Sequence, residues 1–184
     1  MSVTADGVLT PQVLNLGPSS LSYRWKSINL YANVSYPSCL RGNVPIDYNW
    51  KVFKGYVFEP SLTSASLDPR YFKLSPYTLD ASSTYRFVIT ASIPTTGASK
   101  ISPSSAVFSI QIGSSGVIAK IAGSSNIVAS VSTLITLDAS GSVDIDYPEL
   151  STGLLYHWSC IEQSPSYGVS CSSYITDSTV SILV

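Results

Sequence analysis

The chain has 184 residues, of which 11% are Asp, Glu, Lys or Arg, and a formal net charge of -1. Because its few basic residues are scattered, the composition excludes a nucleic-acid-binding surface, and no apolar run approaches the ~20 residues that direct membrane insertion by a helix requires. The length suits two small β-sandwiches, since each needs about 80 to 100 residues to bury a core.

Apolar and polar residues alternate along four segments of the first part of the chain, which is typical of strands with one buried face. The positions expected to face the core are Ile28, Leu30, Ala32 and Val34; Tyr48, Trp50 and Val52; Tyr85, Phe87, Ile89, Ala91 and Ile93; and Phe108, Ile110 and Ile112. Pro, Gly and Ser clusters interrupt the pattern about every ten residues, and helical periodicity is nearly absent. The sequence therefore predicts an all-β fold in which Trp50, Tyr85 and Phe108 share one interior.

The pattern stops at Gly113-Ser114-Ser115-Gly116 and restarts at Val117, which predicts one domain over 1–113 and a second over 117–184. The second domain contains two alternating runs, at 134–138 and 154–160. About 70 residues is short for a sandwich, so we expect its last strands to be missing.

Two aromatic pairs suggest that the domains are related copies. Tyr48-Asn49-Trp50 in the first is echoed by Tyr156-His157-Trp158 in the second. Sandwiches of this kind bury a Trp of the third strand between their sheets, so we expect Trp50 and Trp158 to be core residues.

Longer motifs carry a resemblance to a known family. Leu79-Asp80-Ala81-Ser82-Ser83-Thr84-Tyr85 looks like the tyrosine corner of a fibronectin type III domain. This segment and the sequence upstream of it resemble part of the REJ module. Residues 137–160 resemble another part, through an Asp-Ala-Ser-Gly-Ser turn, an Asp-x-Asp and a Trp-Ser-Cys. This module is named after the sea-urchin sperm receptor for egg jelly and also occurs in polycystins, and the PKD-type sandwich shares part of its pattern.

The resemblance implies a fold class and a location. The fold expected is all-β, with tandem immunoglobulin/fibronectin III-like (PKD-like) sandwiches of which the second is incomplete. The location expected is extracellular or at the cell surface, within a large membrane-anchored protein, often ciliary, flagellar or gametic.

The chain has three cysteines, and two of them are close in sequence. Cys160 and Cys171 stand at a strand end and on a return segment, so a disulfide would close a small loop and stabilise it by about 2 to 3 kcal/mol. The alternative is a set of free, reduced thiols in a cytosolic protein. Cys39 lies in a predicted loop without an evident partner.

Asn33-Val34-Ser35 is a glycosylation sequon, and the strand alternation turns Asn33 outward. It is expected to be glycosylated if the parent protein is secreted.

Acidic residues in the second domain offer oxygen ligands for calcium. Asp138, Asp144 and Asp146, with Glu149 nearby, fall within one loop region. The alternative, which we favour, is that these carboxylates bond their own backbone in turns. No other cofactor is expected.

The sequence predicts contact rather than catalysis. His157 is the only histidine, which excludes a His-based triad, and no glycine-rich phosphate loop or cofactor motif accompanies the carboxylates. Exposed tyrosines are typical of recognition surfaces, although such rings equally cover sheet edges or pack on neighbouring domains. The tyrosines expected in loops or on outward positions are Tyr31, Tyr36, Tyr71 and Tyr77.

The leading hypothesis is a non-catalytic extracellular recognition or spacer module of a REJ-like, polycystin-type receptor. Its partners would be protein or glycan ligands and neighbouring domains of the same chain. The alternatives are a repeat unit of an adhesive or flagellar-surface filament, which binds its own copies, and an accessory sandwich of a secreted hydrolase.

Overall fold

The computed structural model describes residues 10–15, 20–35, 45–94, 103–124, 126–130, 132–150, 153–175 and 177–183. The chain divides into two compact units, Met1–Ser114 and Ser115–Val184. Within the described ranges every regular element is a β-strand except one short 3-10 turn, Ser172–Tyr174. The predicted all-β class is confirmed.

The first unit contains two sheets. The three-stranded sheet has the order β1-β3-β6 and is antiparallel; its strands are β1 (Thr10–Asn15), β3 (Ile28–Ser35) and β6 (Tyr71–Leu74). The five-stranded sheet has the order β2-β8-β7-β4-β5; its strands are β2 (Leu21–Tyr23), β4 (Asp47–Lys54), β5 (Val57–Phe58), β7 (Ser83–Ser92) and β8 (Ser104–Gly113). Its pairings are antiparallel except that β2 runs parallel to β8, with Leu21 opposite Gln111.

One hydrophobic core joins the two sheets. Its buried members are Ile28, Leu30, Val52, Phe72, Leu74, Leu79, Tyr85, Phe87, Ile110 and Ile112. Phe72 of the smaller sheet is 1% exposed, and its ring centroid lies 5.4 Å from those of both Trp50 and Phe87 in the larger sheet. Trp50 and Phe108 are partly buried and pack against this core, while Tyr85 is 3% exposed. The aromatic rings therefore hold the sheets face to face.

The Tyr85 phenol closes a tyrosine corner. Its hydroxyl accepts a hydrogen bond from the Asp80 backbone N–H (3.0 Å) and donates one to the Asp80 carboxylate (3.3 Å), while Leu79 beside it is 3% exposed. Lys54 Nζ also contacts Asp80 Oδ2 at 2.6 Å, and this bond lowers the pKa of the Asp80 carboxyl. Both partners of that ion pair are about half exposed, so the buried phenol does more for stability than the pair.

Replacing Tyr85 by Phe is expected to lower the free energy of unfolding by about 1 to 3 kcal/mol, because the Asp80 N–H then loses its partner in a partly buried corner. Equilibrium urea unfolding measures the loss. The matched control is Tyr56→Phe, since the Tyr56 side chain is 92% exposed and a change there should stay within about 0.5 kcal/mol. Equal stability of the two variants would contradict the tyrosine-corner interpretation.

The second unit forms two short antiparallel ladders. One pairs β9 (Val117–Ile118) with β11 (Val143–Asp144), and the other pairs β10 (Leu137–Asp138) with β12 (Ile182–Leu183). Among its described residues the buried apolar side chains are Ala139 and Leu183. Two packed sheets are therefore not seen in the described part of this unit, and the predicted tandem arrangement is not confirmed.

The two alternating runs of the second unit contain little regular strand. Only Leu137 and Asp138 of the first run belong to a strand, and none of 154–160 does. Exposure nevertheless alternates along 154–160, where even-numbered side chains are half-buried and odd-numbered ones exposed. The segment is held by isolated backbone hydrogen bonds, including the one from Trp158 N–H to Ser178 O at 2.9 Å. Alternation thus predicted which side chains turn inward, but a strand also needs a continuous partner.

Candidate recognition surface

A tight hairpin at the edge of the larger sheet projects an aromatic ring. Lys54 pairs with Val57, so a two-residue turn, Gly55-Tyr56, connects β4 to β5. Gly55 has φ of +59°, a left-handed conformation that suits hairpin turns and favours glycine. The turn leaves the Tyr56 side chain 92% exposed.

Rings and cations converge around this turn, and we call Lys51, Phe53, Tyr56, Phe58 and Arg86 the hairpin patch. Phe53 and Phe58 are cross-strand partners with ring centroids 5.5 Å apart. The Arg86 guanidinium of β7 lies 5.1 Å from the Phe53 centroid and 5.9 Å from that of Tyr56, and Lys51 Nζ lies 6.0 Å from that of Phe58. Both cations are therefore held on ring faces.

The cations of the hairpin patch have no ion-pair partner among the described residues. The described part of the chain has ion pairs at Lys54–Asp80 and Arg70–Asp68, whereas neither Lys51 nor Arg86 is paired within it. Arg86 Nε is buried and finds no hydrogen-bond partner among the described residues. The patch thus combines apolar ring faces with the positive charges of Lys51 and Arg86, a combination that suits a ligand carrying carboxylate groups.

Of the tyrosines singled out in the sequence, Tyr31 and Tyr71 lie together and Tyr77 lies in a loop. Tyr31 and Tyr71 are half-buried partners on the outer face of the smaller sheet, with centroids 4.9 Å apart. Tyr77 is 42% exposed in the loop after β6, and the Arg24 guanidinium lies 5.5 Å from its ring. Tyr36 lies outside the described residues.

The sequence reasoning missed Tyr56, Phe58 and Arg86. The signal was present in Phe53-Lys54-Gly55-Tyr56-Val57-Phe58, where apolar residues flank a Gly-containing pair, as in a hairpin with a two-residue turn. Arg86 lies between the inward positions Tyr85 and Phe87 and is thus expected to face outward, but sequence alone does not give the register that places it opposite Phe53.

The structure joins Cys160 and Cys171 by a disulfide, with the two Cα atoms 5.0 Å apart. The Cys171 N–H donates to Cys160 O at 3.1 Å, and Ile161 and Ser170 form an antiparallel bridge inside the loop. The disulfide therefore closes a small hairpin-like loop. Cys39 lies outside the described residues.

Two acidic side chains of the second unit bond the backbone two residues further on, and a third bonds a distant serine. Asp138 Oδ1 accepts from Ser140 N–H at 2.8 Å, and the bonds from Ser140 lower the pKa of Asp138; Asp144 Oδ1 accepts from Asp146 N–H, also at 2.8 Å. Asp146 is 2% exposed, and its two oxygens accept from the backbone N–H and the hydroxyl of Ser115. In the described ranges no three acidic, His or Cys side chains are grouped as metal ligands. Asp138 and Asp144 therefore make the turn bonds of the favoured alternative, and calcium binding stays a prediction.

His157 lies on the wall of a groove in the second unit. This groove, of about 630 Å³, is lined by His157, Lys120, Ser142 and Tyr156 together with apolar residues, and its lining includes no carboxylate. The Ser142 hydroxyl is engaged with the Lys120 backbone N–H at 3.0 Å. Trp158, half-buried here, donates from its indole to Val180 O at 2.8 Å, which fixes it structurally.

The described residues form an all-β chain whose first unit carries an exposed aromatic and basic surface, the hairpin patch. The family model described as REJ domain matches residues 32–182, so the chain belongs to the REJ family. REJ domains are extracellular in polycystin-like proteins, and the family is non-enzymatic. No curated protein and no solved structure matches significantly. None of the described residues forms a helix long and apolar enough to span a membrane.

Proposed function

We propose that this chain is an extracellular recognition and spacer module of a membrane-anchored, polycystin-type receptor, and that the hairpin patch contacts its protein or glycan ligand. Family membership supports the extracellular setting. The observation that carries the recognition role is the hairpin patch, where a 92% exposed Tyr and two cations without ion partners in the described chain meet on one surface.

The residue types of the patch favour binding. Tyr and Arg are enriched among the residues that dominate interface energies, because each presents a large, stiff contact area together with hydrogen-bonding groups. Tyr has only two side-chain torsions, so ordering the exposed Tyr56 ring on contact costs little conformational entropy.

The spacer role rests on the core of the first unit. Two sheets share a closely packed aromatic interior, which makes an immunoglobulin/fibronectin III-like sandwich the fold we propose for this unit. Such a unit holds its loops and hairpins in fixed positions while their sequences set the ligand.

Binding of a secreted, dimerised form of the chain to the surface of cells of the source organism tests the recognition role. The variant Tyr56→Ser/Phe58→Ser removes two rings of the hairpin patch, and we expect its affinity to fall at least about tenfold. The matched control is Leu67→Ser, which removes a fully exposed apolar side chain of the same unit outside the patch. Saturable binding that is equal for all three proteins, or no saturable binding by the unsubstituted chain, would refute the proposal.

A repeat in a surface filament is the second candidate. It is favoured by the exposed apolar side chains of the second unit, such as Val128 and Leu155, which are 99% and 98% exposed. Light scattering separates the two, because a filament repeat grows in mass with concentration while a receptor module remains of constant mass.

A further inference from the structure

We propose that the first N-acetylglucosamine of a glycan on Asn33 packs on the Tyr31–Tyr71 ring pair and stabilises the smaller sheet of the first unit. This inference rests on the extracellular location in the proposed function. It gives the two half-buried tyrosines a role separate from the hairpin patch.

The site follows from the alternation of β3. Ile28, Leu30 and Ala32 point into the core and are at most 5% exposed, so Tyr31 and Asn33 point to the opposite, outer face. Asn33 is exposed, and residues two apart on a strand stand about 7 Å from each other on the same face. The Asn33 side chain therefore leaves the sheet directly beside the Tyr31 ring.

The two rings form a tilted pair next to this point, with 41° between their planes and Lys73 Nζ 5.6 Å from the Tyr71 centroid. Tyr31 and Tyr71 are cross-strand partners with centroids 4.9 Å apart. β6 begins at Tyr71, opposite Tyr31, so Asn33 lies one outward step beyond the pair along β3. A pyranose ring has an apolar C–H face that matches the electron-rich face of a phenol, and stacking there removes apolar area of both from water.

The attachment chemistry needs a donor from the secretory pathway. The Asn33 amide nitrogen attacks C1 of the terminal sugar of a lipid-diphosphate-linked oligosaccharide. A C–N bond forms, the bond between C1 and the diphosphate oxygen breaks, the amide loses one proton and the lipid diphosphate leaves. Ser35 completes the sequon, and it is exposed on the same face of β3 as Asn33.

The test uses the whole chain secreted from cells that make only high-mannose glycans. Endoglycosidase H then trims each glycan to one N-acetylglucosamine, and mass spectrometry measures occupancy at Asn33. The sugar-free reference is Ser35→Ala, which destroys the sequon and keeps Asn33. We expect the trimmed form to unfold about 4 °C higher than this reference.

Two substitutions of Tyr31 decide whether the ring is responsible. Tyr31→Phe keeps the ring and should retain the increment in unfolding temperature that the sugar gives. Tyr31→Val keeps a strand-forming residue without a ring and should reduce this increment to about 1 °C or less. Each increment compares sugar-bearing and sugar-free forms of the same variant, so general destabilisation cancels. An unoccupied Asn33, or an equal increment in the Val and Phe forms, overturns the inference. Because no ligand is involved, these results stand apart from the cell-binding test.

Discussion

Replacing Phe72 by Ala is expected to lower the free energy of unfolding of the first unit by about 3 to 5 kcal/mol, the largest effect of any substitution considered for this chain. Phe72 is 1% exposed and connects the two sheets, with its ring 5.4 Å from those of Trp50 and Phe87. Truncation removes the buried ring and leaves a cavity that two paired sheets cannot readily close. Urea unfolding measures the loss, and peptide-resolved hydrogen exchange assigns it to the first unit.

Two further substitutions make this result specific. Phe72→Leu keeps most of the volume and is expected to cost less than half as much as Phe72→Ala, while Leu67→Ala alters a fully exposed side chain and should change stability by no more than about 0.5 kcal/mol. A loss for Phe72→Ala as small as that for Leu67→Ala would show that the two sheets do not depend on this ring.

Removing the disulfide as Cys160→Ser/Cys171→Ser is expected to destabilise its loop by about 2 to 3 kcal/mol, because the open chain regains the freedom that the bond removes. The backbone bonds of Cys171 to Cys160 and of Trp158 to Ser178 should open with it. Hydrogen exchange at the Cys171 and Trp158 amides should accelerate about 30- to 150-fold, the same free energy expressed as a rate.

The first unit supplies the internal control for this variant. Its core contains no cysteine, so exchange of the β7 amides should be unchanged in the double Ser variant. Unchanged exchange at Cys171 as well would mean that the loop is held by its other contacts and that the bond is dispensable.

The sequence predicted the core of the first unit well, because period-two alternation is itself the physical cause of which side chains are buried. Phe87, Ile89 and Ala91 are each fully buried, as expected for one face of β7. The tyrosine corner could also be predicted from the sequence, because a Leu and a Tyr at fixed spacing generate it locally. The Tyr85–Asp80 hydrogen bond spans only five residues.

Features that depend on a distant partner were not predicted. β6 has only two inward residues, Phe72 and Leu74, too few for a periodic signal, although Phe72 lies at the centre of the core. The three-residue β2 is defined by its pairing with β8 rather than by its own pattern. Arg86 belongs to the hairpin patch only through the register that places it opposite Phe53. In each case long-range pairing, rather than local preference, sets the position.

The parallel pairing of β2 with β8 has a mechanical consequence. β2 stands near the start of the first unit and β8 at its end, and the two are linked by pairs from Leu21–Gln111 to Tyr23–Gly113 and by the bond from Gln111 N–H to Ser20 O. When tension pulls the unit from its two ends, parallel neighbours slide along each other, so their hydrogen bonds are loaded in shear and must yield together. Antiparallel neighbours pulled at adjacent ends would instead unzip one bond at a time, so the β2–β8 pairing is expected to raise the force at which the first unit opens.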